Sequence, residues 1–505
     1  MAVDWRMVKN AGASLGRGSA AALVSLLLPP VLVRHMAADA YSVWLLVLQV
    51  AAYASYLNFG LQTAIGRYVA FATEKRDFEQ RDSVYSTAFA GLCCAALVAY
   101  LALIVATIVM PSIFPSVPAR LVPQMRLALL IVGLTLALEL PASGWNGVFV
   151  GVARYEIPAL TTGLARIIVG VGLVAAAVAG SSIVAMAVIV GVVNCTSYVA
   201  QYFIAHRVVP DLRFRMEMVS RSKVRELSSY CFGLTVMSVA MFLITGLDLL
   251  LVGRFDFSAV IPYSVAASVV ALMTGFVSSI LGVILPHAAT LHAQERPAEL
   301  GELVVSATRI SVLLLVLIGL PLVIYAGPIL RVWIGPAYVM NGVPILSTLI
   351  VANLIRQIGA PYATVLVGTG HQNYILISPV AEGVTNFVAS VLLGLNWGGI
   401  GVAVGTLLGS FVSIAAYLFY SVPRTQFAIT VSRWNLVTAG ILTPMLYTCP
   451  LLAAAAANWT GLSVGPIGFG LAMMLSLLGA GLLLIRTHIA PKSLFNFTGQ
   501  QNELY

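Results

Sequence analysis

The sequence predicts an all-α polytopic membrane protein of about fourteen transmembrane helices, arranged as two pseudo-symmetric six-helix bundles followed by two further helices. Three observations predict it. Hydrophobic residues make up 60% of the chain and charged residues 9%, at a mean hydropathy of +0.98, whereas soluble domains are roughly a quarter charged. Apolar runs of about 20 residues recur, each long enough to cross roughly 30 Å of hydrocarbon as a helix. The third is a compact polar segment, His206 to Glu226, in which Arg207, Arg213, Arg215, Arg221, Lys223 and Arg225 stand against Asp211, Glu217 and Glu226. A transmembrane barrel would instead alternate apolar and polar residues in segments of about ten, and that alternation does not dominate here.

In order, the spans are read at 13–33, 40–62, 84–110, 125–149, 158–179 and 182–205, then after the basic segment at 229–253, 260–286, 307–327, 341–365, 373–394 and 398–420, and finally at 436–456 and 463–485. The first has basic residues ahead of it and no small-residue cleavage site behind it, so it reads as a retained helix and not as a signal peptide. An even number of spans puts both termini on one side. With that side taken as the cytoplasm, nineteen of the 27 Lys and Arg fall in inside segments and five outside, the arrangement the positive-inside rule favours. The formal charge of +9 is therefore a topology signal for membrane lipids, and no nucleic-acid partner is expected. Cys93, Cys94, Cys195, Cys231 and Cys449 lack metal-type spacing and lie in or beside apolar runs, so neither a zinc site nor a disulfide framework is expected.

The basic segment sets the domain reading: a first bundle at 1–205, a cytoplasmic linker at 206–228, a second bundle at 229–421, and two additional helices with a tail at 422–505. Six helices in each bundle give the two copies the same orientation, related by an axis along the membrane normal. No connection is long enough to fold separately, which disfavours a membrane glycan polymerase or ligase. No GxxxxGK[ST] loop is present to cradle a nucleotide, and the chain reads as a transporter with no catalytic residues and not as an enzyme.

Six ionisable residues lie well inside spans: Arg17, Glu139, Arg166, Asp248, Arg356 and Glu382. Under the repeat, Arg17 corresponds to Asp248, Glu139 to Arg356 and Arg166 to Glu382, each pair opposite in sign. Helical spacing places Thr135, Glu139, Ser143 and Asn146 on one stripe, Ser378, Glu382, Asn386 and Ser390 on another, and Asn353, Arg356, Gln357 and Thr364 on a third. A charge within the bilayer costs about 2.5 kcal/mol or more, so such residues face a cavity, a partner or a substrate path. The alternative is that the six form structural ion pairs holding the bundles together.

Four segments carry a resemblance. YLNFGLQTAIGRYVAF (Tyr56 to Phe71), GLDLLLVGRFDFSAVIPYSVA (Gly246 to Ala266), LPLVIYAGPILRVWIGPAY (Leu320 to Tyr338) and GGIGVAVGTLLGS (Gly398 to Ser410) resemble stretches of Wzx-type polysaccharide flippases of the multidrug/oligosaccharidyl-lipid/polysaccharide superfamily. Pro262 departs from the pattern, which more often has Gly before the Tyr. The resemblance implies a bacterial inner-membrane flippase that moves a polyprenyl-diphosphate-linked oligosaccharide outward by alternating access, working beside polysaccharide polymerase and export proteins. Fixed cations can offset the lost hydration of a diphosphate. Arg17, Arg166 and Arg356 are thus expected to contact diphosphate or sugar, with Arg67 at the inner mouth as a contact or a topology anchor. Asn58 and Gln62 share a face and bond either sugar hydroxyls or a neighbouring helix. Glu139, Asp248 and Glu382 are expected to couple transport to H+ or Na+, or to serve as counter-ions; no organic cofactor and no structural metal are expected. The competing reading within the superfamily is a cation-coupled drug exporter, which should favour an acidic, aromatic pocket over an interior with equal numbers of cations and carboxylates.

Overall fold

The computed structural model describes Val24, residues 26–453 and residues 466–486, and among these residues the secondary structure is helical with no strand. They form two compact units. The first comprises residues up to Ser268 together with Phe387–Val402, and the second Val269–Asn386 together with the described residues from Ala403 onward. The division falls inside helix α10 (Val260–Ala293), and the basic segment belongs wholly to the first unit.

In the first unit a short apolar helix α1 (Leu26–His35) precedes α2 (Ala38–Ala52), α3 (Leu61–Glu74), α4 (Phe78–Ile113), α5 (Val122–Gly151), α6 (Glu156–Val178) and α7 (Ile183–Val208), then α8 (Arg221–Met241) and α9 (Asp248–Phe255). Side-chain oxygens mark several starts. Asp77 accepts from the Gln80 N–H, Ser182 from Ala185 and Ser220 from Lys223, each satisfying one of the donors a helix start leaves open. The second unit holds most of α10, then α11 (Pro297–Ile324), α12 (Ala326–Trp333), α13 (Val339–Gln357), α14 (Ala360–Gly368), both ends of α15 (Ile377–Ala416), α16 (Arg433–Val437), α17 (Thr443–Tyr447) and α18 (Pro466–Arg486). α15 is kinked at Gly398 (φ 60°) into two limbs, at the gap expected between the eleventh and twelfth spans.

Ten helical segments among the described residues are long and apolar enough to cross a membrane. They cover eleven of the fourteen expected spans, because the segment Gln372–Arg424 contains two. Most of the expected first span, with Arg17, lies outside the described residues. The thirteenth is interrupted by a π-helical turn at Thr438–Leu442, and its end, like the start of the fourteenth, also lies outside them.

The expected second span is not one helix. A 3₁₀ segment, Tyr53–Asn58, separates α2 from α3, and Phe59 and Gly60 both take left-handed backbone at φ 49° and 76°. Asn58 Oδ1 accepts from the Gln62 N–H and so caps α3. A Cβ on Gly60 would sit 2.5 Å from Leu234 Cδ1 of α8 as well as straining the backbone. A Gly60→Ala variant should therefore lose on the order of 2–4 kcal/mol of stability. Thermal unfolding of the purified protein measures it, and an unchanged midpoint would refute the close packing of α8 at this break.

α3 then packs on α5 through glycines. Built Cβ atoms on Gly147 and Gly151 would fall 2.6 Å from the Gln62 carbonyl and 2.9 Å from the Gly66 carbonyl, so the two backbones touch, as small residues four apart allow in membranes.

The basic segment is not a loose tether. Ser83 of α4 donates to the Met218 carbonyl, and the N–H groups of Arg215 and Ser220 donate to Ser86 and Thr87. Phe214 packs against Phe89, which itself meets Tyr85 and Trp145. Three hydroxyls of one helix thus strap the segment down.

Candidate functional site

In the second unit the interior charge site is built by α13 and α15. Arg356 lies in the last turn of α13, where the helix breaks before α14. Its Nε donates to Glu382 Oε1, and the Glu382 side chain is 3% exposed against 21% for Arg356. Arg356 Nη2 is buried with no hydrogen-bond partner. A buried carboxylate is tolerable only with such a partner, and this pair supplies it.

The two faces of α13 differ. Asn353 and Gln357, with Arg356, are turned to the polar side, and Thr274 Oγ1 of α10 lies 3.2 Å from Asn353 Oδ1. Val351, Leu354, Ile355 and, just past the helix end, Ile358 line an apolar cavity of about 450 Å³. Glu382 itself belongs to a stripe with Ser378 and Asn386, all at 2% exposure or less. Ser378 donates to the Ser413 carbonyl across the limbs of α15, at 2.9 Å, and its Oγ is 3.0 Å from Ser413 Oγ.

In the first unit Glu139 of α5 and Arg166 of α6 lie within electrostatic reach of each other, and Tyr198 of α7 within reach of Glu139. Both charged residues are exposed. On α5, Glu139 is turned about a third of a turn from the exposed Leu127, Leu134 and Leu138.

The two units carry opposite-sign charges on corresponding spans, joined by a direct ion pair in the second unit. The fourth and fifth spans carry Glu139 and Arg166, and the tenth and eleventh carry Arg356 and Glu382. The sequence matched each charge with its counterpart in the other bundle, while the structure gives each a neighbour in its own unit. A tyrosine lies in the neighbourhood of each carboxylate, Tyr198 on the sixth span and Tyr417 on the twelfth. Neither tyrosine was singled out from the sequence. For Tyr417 the available signal was the series Thr406, Ser410, Ser413, Tyr417, Ser421, Thr425, three or four apart and all buried.

The remaining candidates are dispersed. Asp248, 6% exposed at the start of α9, accepts from the Tyr263 hydroxyl at 3.0 Å. A π-helical turn, Phe242–Gly246, precedes it, and the Gly246 carbonyl accepts from Gln49 Nε2 and the Tyr53 hydroxyl. Asn58 Nδ2 donates to Ser143 Oγ of α5 while its other end caps α3, so both ends are engaged in helix contacts. Gln62 contributes its N–H to that cap and is half-buried. Arg67 is exposed and lies over the Tyr230 ring at 4.9 Å.

Comparison with known proteins agrees with the helical architecture. No curated protein sequence matches the chain. Among solved structures, the Lipid II flippase MurJ in an inward closed conformation aligns with 97% of this chain and 100% of its own at TM-score 0.71 and 14% identity. A multidrug resistance MATE family transporter of the MOP superfamily aligns in an inward-facing conformation over 82% of this chain and 95% of its own, at TM-score 0.59 and 16% identity. An outward-facing MATE structure aligns over 84% and 96%, at TM-score 0.55 and 14% identity. At such identities the likeness is one of fold. The profile of the polysaccharide biosynthesis protein family matches residues 7–292, more than half of the 505-residue chain, and the chain belongs to that family.

Proposed function

We propose that the protein is a flippase that carries a polyprenyl-diphosphate-linked oligosaccharide from the cytoplasmic to the outer leaflet of a bacterial inner membrane, by alternating access of two six-helix repeats, with both termini cytoplasmic. The observation that carries the reading is the Arg356–Glu382 pair, with its carboxylate buried, in a chain of this family. It is a fixed cation within a span, with one guanidinium nitrogen uncommitted, suited to a phosphate oxygen once the carboxylate lets go. Arg166, Arg67 and Arg17 are the other cations proposed to meet the diphosphate or its sugars. Gln62 is proposed for sugar hydroxyls, and Asn58 positions α3 beside it.

Glu139, Asp248 and Glu382 are proposed to couple the cycle to H+ or Na+, since a carboxylate beside a movable cation can change protonation as access alternates. Substrate would be supplied by reactions that build lipid-linked oligosaccharide and removed by a polymerase and export proteins. Deleting the protein should make lipid-linked oligosaccharide accumulate facing the cytoplasm while surface polysaccharide is lost. Normal surface polysaccharide together with a loss of drug tolerance would turn the assignment to the drug-exporter alternative.

A further inference from the structure

Two arginines stand at one end of the apolar cavity beside α13, wholly within the second unit. Arg309 of α11 lies one turn before Val312, and Val316 and Leu320 continue its face; all three line the cavity. Arg433, which opens α16 on the thirteenth span, lies one turn before Leu436 and Val437, which line it from the other side. The two spans start side by side, because the Thr430 N–H donates to the Pro297 carbonyl and a Cβ on Gly301 would fall 2.0 Å from the Thr430 carbonyl oxygen. This is the end whose cations the positive-inside rule assigns to the cytoplasm.

Both cations are available to an anion. Arg309 Nε is buried with no hydrogen-bond partner among the described residues, and the Arg433 guanidinium lies over the Phe419 ring, 5.5 Å from its centroid. On α11, Glu299 is paired with Arg296, and Glu302 lies two turns nearer the surface than Arg309. The chain has no Asp or Glu between Glu382 and Glu503, so no acid of the last three spans offsets Arg433. The cavity itself, about 450 Å³, is of the size of a small-ligand site. Its one hydroxyl, Thr448, is spent on the Pro444 carbonyl, so its walls offer nothing to a sugar. Exposed Phe411, Ile441 and Met445 border it, which opens its side to the hydrocarbon around the spans.

We propose that this cavity holds one acyl chain of an anionic phospholipid from the cytoplasmic leaflet, with the lipid phosphate held between Arg309 and Arg433. The phosphate takes up the open Arg309 donor, and basic pockets between spans on this side of a membrane suit such headgroups. The cavity lies on the other face of α13 from Asn353, Arg356 and Gln357, so the lipid is a resident that ties α11 to the thirteenth span and is not the cargo.

The test adds lipid to the full chain, purified in detergent, and counts bound lipid by native mass spectrometry. Phosphatidylglycerol should be retained at one copy per chain, more tightly than phosphatidylcholine with the same acyl chains. Arg309→Gln and Arg433→Gln should each weaken phosphatidylglycerol about five-fold, the factor for one cation near a headgroup, and leave phosphatidylcholine unchanged. Val316→Phe narrows the cavity and should weaken both lipids. Equal retention of the two lipids by the wild-type chain, or a headgroup preference that survives both Gln changes, overturns the proposal. Displacement of phosphatidylglycerol by equimolar glycerol phosphate would show a site for the anion alone and overturns it too. Displacement by equimolar polyprenyl phosphate would give the cavity to the cargo and overturns the resident lipid. The flippase reading is tested separately, by the loss of surface polysaccharide on deletion.

Discussion

An Arg356→Met variant should lose about 3–5 kcal/mol of stability, because it leaves the Glu382 carboxylate buried without its partner. The double variant Arg356→Met/Glu382→Leu removes both charges and should regain most of that loss, since apolar replacements of a buried pair are often neutral or stabilising. Thermal unfolding of the three proteins separates the effects. Transport should stay absent in both variants, because stability returns without the cation proposed to meet the substrate or the carboxylate proposed to couple the cycle. Restored surface polysaccharide in the double variant would reduce the pair to a structural clamp.

The second large effect is expected at the crossing of α3 and α5. In Gly147→Ala the new methyl group would meet the Gln62 carbonyl at 2.6 Å and Ile65 Cβ at 3.0 Å. The first obstacle is backbone, which cannot rotate out of the way, so the helices must part. A stability loss of about 1–3 kcal/mol is expected from such overpacking. A Gly147→Leu change should exceed it. Because α3 carries Arg67 and α5 carries Glu139, parting them also displaces two proposed site residues, and transport should fall further than stability alone explains. Equal unfolding midpoints for wild type and Gly147→Ala would rule out the backbone contact.

Much of this was legible in the chain because the bilayer allows few solutions. Apolar runs locate the spans, and a charge such as Glu382 inside one stands out against its neighbours. Helical spacing put Ser378, Glu382 and Asn386 on a face, and that face is buried as a stripe. Which charges meet was not legible, because a repeat relates equivalent positions and not neighbours; only folding shows that Arg356 reaches Glu382 one span away. The break at Phe59 and Gly60 had a local signal in the Asn-Phe-Gly turn chemistry, but the apolar run continued across it. Tyr417 was hidden for another reason: a tyrosine in an apolar span reads as packing, and its ring does pack, edge to face on Tyr362 and against Gly359. The strapping of the basic segment was invisible because its partners, Ser83, Ser86 and Thr87, lie far back in the chain.

That distance has a consequence for biosynthesis. The three hydrogen bonds join residues 129 to 135 positions apart, so at ribosomal rates α4 is made on the order of ten seconds before the segment that fastens to it. During that interval α5, α6 and α7 are made, while the hydroxyls of α4 lack these partners. The strap can close only after α7, which precedes it in the chain, has been made. The segment is in this sense a late fastening, available only once the helices it closes over have been made.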